Sequence, residues 1–360
     1  MPSSSPASPP LIARRGRLRL ATLAVALVAA LATPVAVDAR RPSPSASVEG
    51  MKVLITNDDG VQPGADSVGL FELRAALCDA GADVVVVAPW RNMSGASASI
   101  TYGSSSTRFT LTEPTIDAAY GDHCSDAPSA GPVWGACVTA AGAPAVCDGS
   151  TPSLTPADAA TLGPVAAAQL VGWDSPDVVV SGTNRGGNDG LNVNISGTVG
   201  AATIASSLGH PTIALSTSSS GAFVANAQGA AEWAVQFVGK LRHSSLLPDG
   251  YVLAVNYPRV DRGPVTEAEW TSVAQRSEWA TGFTLDAGTT SFTSNYGPCT
   301  PGASCGAPGA GTDSVAYSSG RIAITPVSLD RTVDLSPSSP TIKDARKVRV
   351  MTQRGDFDAD

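Results

Sequence analysis

The stretch Met51-Lys-Val-Leu-Ile-Thr-Asn-Asp-Asp-Gly60 sets the strongest limit on how this chain can fold. Val53, Leu54 and Ile55 are a short β-branched and apolar run, the signature of a strand buried on both faces. The run stops at Asn57, Asp58, Asp59 and Gly60. Two neighbouring carboxylates at the end of a buried strand repel each other and both lose water, which is costly. A divalent cation with a taste for hard oxygen ligands removes that cost. Successive strand residues point to opposite faces, so both carboxylates converge only if the chain turns, which Gly60 permits. A solvated acidic turn is the bland alternative, and the rest of the chain decides between the two.

A right-handed βαβ unit follows. Helical spacing of Leu70, Leu73 and Leu77 predicts a helix over 67–80, closed by Gly81, and Val84–Val87 is a second buried strand. Further apolar strands are expected over 177–181, 212–216 and 251–256, with helices over 196–208 and 225–241. Parallel strands of this kind put their ligands beyond their carboxyl ends. Residues 102–170 resist reading and are taken as an excursion from the sheet, a β-hairpin and then a helix over 156–170. Past Pro258 the chain turns irregular and polar until a β-like Arg321–Thr325. The fold expected is a three-layer αβα, Rossmann-like, mostly parallel sheet occupying 51–258. A C-terminal extension over 259–360 is expected to serve oligomerisation.

The ends of the chain read differently. Arg14, Arg15, Arg17 and Arg19 precede an apolar run from Leu20 to Ala32, and Val37-Asp38-Ala39 offers a cleavage site. Residues 1–39 are therefore expected to be a signal peptide and the chain to be secreted, without stable membrane insertion once it is cleaved; an uncleaved anchor is the alternative. Arg14-Arg15 lacks the apolar residues that a twin-arginine signal wants next. Residues 40–50, rich in Ser and Pro, are expected to be a disordered lead-in. Export makes disulfides plausible for the six cysteines. Cys299 and Cys305 look like a local bridge, two of Cys124, Cys137 and Cys147 are expected to pair, and Cys78, on an apolar helix face, reads as a buried free thiol. The net charge of −8 argues against nucleic acid as a partner.

Three polar loops then meet at one edge of the sheet. They carry Asp58 and Asp59; Ser94 and Gly95; and Asn184, followed by Ser196, Gly197 and Thr198 at a helix start. A helix N-terminus of that composition suits an anion, and an anion beside a metal suits phosphoryl hydrolysis. There is no G-x-x-x-x-G-K, no dinucleotide fingerprint and no G-x-S-x-G elbow. Of the three histidines, His210 reads as structural. Asn92-Met-Ser and Asn194-Ile-Ser match the glycosylation sequon but fall inside the expected site, so they are read as coincidence.

Asn57-Asp-Asp-Gly60, Ala88-Pro89 with Ser94-Gly95, Ser181-Gly-Thr-Asn-Arg-Gly-Gly-Asn188 and Ser196-Gly-Thr-Val-Gly200 resemble the SurE-like phosphatases, in order and over Met51 to about Pro258. Thr312-Asp313 and Ile324-Thr325-Pro326 resemble the family's late segments. The resemblance implies a divalent cation, Mg²⁺ or Mn²⁺, held at Asp58, Asp59, Ser94 and Asn184, and phosphate contacts at Gly95, Ser196, Gly197 and Thr198. It also implies hydrolysis of nucleoside monophosphates and a homodimer or tetramer exchanging C-terminal segments; a metal-activated water is the attack expected at such a site. Thr183 stands where the family usually has Ile, and Gly142-Ala-Pro-Ala-Val-Cys-Asp148 departs from a substrate-side motif by displacing its Asp. Two other readings are an aspartyl-phosphate phosphatase of the haloacid dehalogenase kind, disfavoured because its aspartates alternate, and a secreted phosphate- or nucleotide-binding protein without turnover.

Overall fold

The computed structural model describes residues 47–101, 106–265, 267–276, 279–299 and 308–330. The leading strand β1 (Lys52–Thr56), helix α1 (Val68–Asp79) and strand β2 (Asp83–Pro89) form the expected βαβ unit. Every residue of β2 is buried. Side chains alternate across β1: Val53 and Ile55 pack toward α1, whereas Leu54 meets Ala159, Ala160, Ala201 and Ala205 on the other face. That is why the run shows no polar alternation.

The excursion is less separate than its composition suggests. β3 (Thr107–Thr112) and β4 (Val133–Ala140) pair antiparallel, as a hairpin would, but β4 also pairs parallel with β2. The segment therefore extends the main sheet instead of leaving it. Helix α2 (Pro156–Ala166) starts at a capping box of Thr155 and Asp158, widens over Ala167–Val171 and ends at Gly172 in the left-handed region. Then come β5 (Val178–Arg185), α3 (Gly197–Ser207), β6 (Thr212–Thr217), α4 (Phe223–His243) and β7 (Tyr251–Tyr257). The stretch Leu191–Ile195, between β5 and α3, is a 3₁₀ turn over Gly190–Asn194.

Beyond Pro258 lie β8 (Ala268–Trp270), a two-stranded ribbon of β9 (Trp279–Leu285) and β10 (Phe292–Pro298), α5 (Asp313–Ser318) and β11 (Ile322–Ser328). The nine-stranded sheet runs β3-β4-β2-β1-β5-β6-β7-β11-β8. β4, β2, β1, β5, β6 and β7 are mutually parallel; β11 runs antiparallel to β7. Residues long after Pro258 thus share the same sheet as Asp58.

Two further expectations change at this level. Ser47–Gly50, the end of the expected lead-in, makes a turn that buries Val48 and so belongs to the fold. Cys78 is not a free thiol: it is bonded to Cys124, because the loop after Tyr120 folds back across the end of α1. Arg74, buried in the same helix, holds that loop through Nη1 to the Tyr120 carbonyl at 3.0 Å and Nη2 to the Gly131 carbonyl at 2.6 Å. Cys137 and Cys147 form the pair expected within their trio. Cys299 is disulfide-bonded, and its expected partner Cys305 lies outside the described residues, as does the signal peptide. Among the described residues no helix is long and apolar enough to cross a membrane.

Candidate active site

The site begins where β1 ends. Asn57 Oδ1 accepts from the Gly60 N–H at 3.1 Å and closes the turn. Within it Asp58 and Asp59 are only 3% and 5% exposed. Thr198 donates its hydroxyl to Asp58 Oδ1 at 2.6 Å, and the N–H groups of Gly197 and Thr198 also face that carboxylate. Glycine is required at 197: a Cβ there would stand 2.6 Å from the Asp58 Cβ. Asp59 Oδ2 accepts from the Arg185 N–H at 2.8 Å. Desolvation lifts both carboxyls above the usual carboxylate range, and for Asp59 the neighbouring Asp58 charge lifts it further.

Neither carboxylate has an ion-pair partner among the described residues. Arg185, whose N–H bonds Asp59, turns its guanidinium to Asp66 at 2.7 Å and over the Phe223 ring. Two buried, uncompensated carboxylates with hydroxyl and amide oxygens nearby fit a hard divalent cation. Among the described residues no three His, Cys, Asp or Glu cluster to hold a metal.

Asn184 arrives by an irregularity. Between Ser181 and Asn184 the pairing of β5 with β6 shifts register, and a bulge of this kind re-aims the side chain that follows it. Asn184 Nδ2 donates to the Gly186 carbonyl at 2.7 Å, which fixes the amide and leaves Oδ1 as its free acceptor. The loop after β2 docks on the turn through the Met93 N–H and the Asp58 carbonyl at 2.7 Å. Ser94 and Gly95 follow on its exposed side; the Ser94 N–H bonds Asn92 Oδ1 at 2.9 Å. The far end of this loop is tied down as well: Thr155 Oγ1 bonds the Ser99 carbonyl, and the Thr101 N–H reaches Asp158 Oδ1 and Oδ2 at 3.1 Å.

Of the residues expected from the sequence, Asp58, Asp59, Gly197 and Thr198 are in direct contact or one bond apart. Asn184 adjoins the Asp59 partner Arg185, and Ser94 and Gly95 flank the open side. Ser196 Oγ accepts from the Val199 N–H at 3.1 Å, capping α3. Several functional side chains escaped the sequence reading. Asn188 Nδ2 donates to Ser216 Oγ at 2.8 Å and to Thr198 Oγ1 at 3.3 Å, while its N–H bonds Asn256 Oδ1 at 2.7 Å. Ser216 and Asn256 are, like Asp58, polar residues at the carboxyl end of apolar strands, and that signal was available. The three histidines stand elsewhere: His123 bonds Asp79, His210 precedes β6 at the opposite sheet edge, and His243 ends α4. Asp148, the displaced aspartate, is spent on its own turn, accepting from Ser150 and Thr151.

Known proteins resemble this chain over most of its length. The profile of the family described as Survival protein SurE matches residues 53–280. A protein named 5′-nucleotidase SurE from Xanthomonas axonopodis pv. citri (strain 306) is 34% identical over 284 residues, 78% of this chain and 91% of the relative. One of the same name from Xanthomonas oryzae pv. oryzae (strain PXO99A) is 33% identical over the same coverage. The crystal structure of the SurE protein from Aquifex aeolicus superposes with a TM-score of 0.56 at 25% identity, over 85% of this chain and 99% of that one.

Proposed function

This chain belongs to the survival protein SurE family, and we propose that it is an exported, divalent-cation-dependent phosphomonoesterase acting on nucleoside monophosphates. The observation that carries the reading is the buried, adjacent pair Asp58 and Asp59 facing the first turn of α3. Asp58, Asp59, Ser94 and Asn184 would hold Mg²⁺ or Mn²⁺. When bound, the cation supplies an activated water and polarises the phosphoryl oxygens.

The chain's own residues do the rest. Thr198 fixes the Asp58 rotamer, and the Arg185 N–H fixes Asp59, so the pair needs no rearrangement to present its oxygens. The α3 N-terminus favours negative charge on the equatorial phosphoryl oxygens as the transition state forms. Asn188, held by Ser216 and Asn256, orients Thr198 from behind. A covalent phosphoserine at Ser94 is disfavoured, because a serine nucleophile needs a base and no histidine among the described residues is near.

Export is supported by the two disulfides Cys78–Cys124 and Cys137–Cys147, which suit an oxidising compartment. A homodimer or tetramer through residues 259–360 is supported by the exposed apolar side chains of Phe283, Leu285 and Phe292 on the ribbon and Trp270 on the edge strand β8. The deciding assay is phosphate release from a panel of nucleoside monophosphates with Mn²⁺ or Mg²⁺, with and without chelator. Turnover that a chelator abolishes is expected; turnover indifferent to the chelator, or none on any phosphomonoester, overturns the reading.

A further inference from the structure

The oxygens offered to the cation come from three segments on three strands: Asp58 and Asp59 after β1, Ser94 after β2, and Asn184 near the end of β5. Affinity for a metal depends on the groups behind the ligands that hold them at a fixed separation. On the buried side Thr198 does this for Asp58. On the open side the three segments meet at one carboxylate that belongs to none of the sequence motifs, Asp66, in the turn between β1 and α1.

Both oxygens of Asp66 are engaged. Oδ1 accepts from Arg185 Nη1 at 2.7 Å, and Oδ2 accepts from Asn92 Nδ2 at 3.2 Å. Each of these donors also touches the ligand set. Arg185 follows Asn184 in β5, and its N–H bonds Asp59 Oδ2 at 2.8 Å. The Asn92 amide group also approaches Asp59 Oδ1 at 3.5 Å, while Asn92 Oδ1 accepts from the Ser94 N–H at 2.9 Å. The Phe223 ring, 5.3 Å from Arg185 Cζ, backs the guanidinium.

With its oxygens taken, Asp66 is not itself a ligand. Nor does it hold the fold together: the Arg185 and Asp66 side chains are 35% and 46% exposed, and an ion pair that open adds little to stability. What such a contact can set is the spacing of the segments it joins.

Building on the nucleotidase reading, we propose that Asp66 is a positioning residue for the divalent-cation site. It holds Asn92 and Arg185, and through them it fixes Ser94 and Asn184 relative to Asp59.

The test measures Mn²⁺ affinity by calorimetry and, on the metal-free protein, the melting temperature and the amide exchange of Ser94 and Arg185. Asp66→Ala should leave the metal-free melting temperature unchanged, weaken Mn²⁺ binding about tenfold and speed exchange at both amides. Asp66→Asn, which keeps an acceptor for one of the two donors, should fall between. Adding Arg185→Ala to Asp66→Ala should weaken Mn²⁺ binding by less than the two single effects combined, as groups acting in one network do. Phosphate release by Asp66→Ala should recover toward wild type as Mn²⁺ is raised. Unchanged Mn²⁺ affinity together with unchanged exchange overturns the proposal, and so does a fall in melting temperature large enough to account for the lost affinity. A wild type that neither binds Mn²⁺ nor releases phosphate would count against the enzymatic reading, whereas faster exchange at Ser94 and Arg185 in Asp66→Ala would still support Asp66 as the joint of the three segments.

Discussion

The sheet centre and the segment over residues 106–153 are built by different means. At the centre, β2, β1 and β5 are buried on both faces, and β1 pairs in parallel with both neighbours. The segment has a thinner core. β3 is mostly exposed or half-buried, and its surroundings are held by two cross-links, by Arg74 reaching two carbonyls and by a Thr110–Thr139 hydroxyl contact at 2.7 Å. Where apolar area is short, covalent and polar ties substitute for it. The centre supplies the position of the chemistry, and the segment supplies a frame that redox conditions can loosen.

The sharpest way to separate the two is to remove charge from the centre. Asp59→Asn should abolish measurable phosphate release yet leave the melting temperature of the metal-free protein the same or higher, because burial already disfavours the charged carboxylate. A drop of several degrees without metal would show that Asp59 is structural first. Removing cross-links should do the reverse. Replacing both members of Cys78–Cys124, 46 residues apart, should cost about 4 kcal/mol, and of Cys137–Cys147, 10 residues apart, about 3 kcal/mol. Chemical denaturation should show both losses, with chelator-sensitive turnover surviving below the transition.

Smaller effects sharpen the contrast further. His123 and Asp79 bond at 2.8 Å on the surface of the segment, and that hydrogen bond holds the His123 pKa above its ordinary 6.5. A raised folded value means the protonated pair stabilises fully below 6.5 and the benefit is lost as pH rises through the folded value. The melting temperature of wild type should therefore exceed that of His123→Gln slightly at about pH 5.5 and match it at about pH 9. An equal difference at both pH values would assign His123 a packing role. Least of all, Phe283→Ser on the exposed ribbon should change monomer stability by no more than about 0.5 kcal/mol. Its informative readout is the oligomeric state by light scattering.

What could be read in the sequence follows the same division. Val53–Ile55, Val84–Val87 and Thr212–Ser216 announced themselves because strands buried on both faces have no competing pattern. Asp58 and Asp59 stood out because carboxylates are costly there. β4 did not, because Val133-Trp-Gly-Ala-Cys137 mixes small and aromatic residues: Gly135 has to admit the Trp90 ring and a Val61 methyl, a constraint that exists only once those side chains are in place. Cys78 was misread because an apolar helix face is equally consistent with a thiol and with a cross-link, and the choice rests on where residue 124 lands. Asn188 was within a recognised motif, but its partners Ser216 and Asn256 come from strands 28 and 68 residues away.

One carboxylate described above has a kinetic consequence. Asp158 completes the cap of α2 and also receives the Thr101 N–H, so a helix end and the far end of the Ser94 loop share a single anchor. Opening of that first helical turn releases the loop, and release of the loop uncaps the turn. The amide hydrogens of Thr101 and Asp158 should then exchange with solvent as one cooperative unit, at a rate set by the weaker of the two elements. Time for the loop to leave the carboxylate pair, and for a product to escape past it, would be governed by the fraying of a helix whose first residue, Pro156, stands beside Gly197.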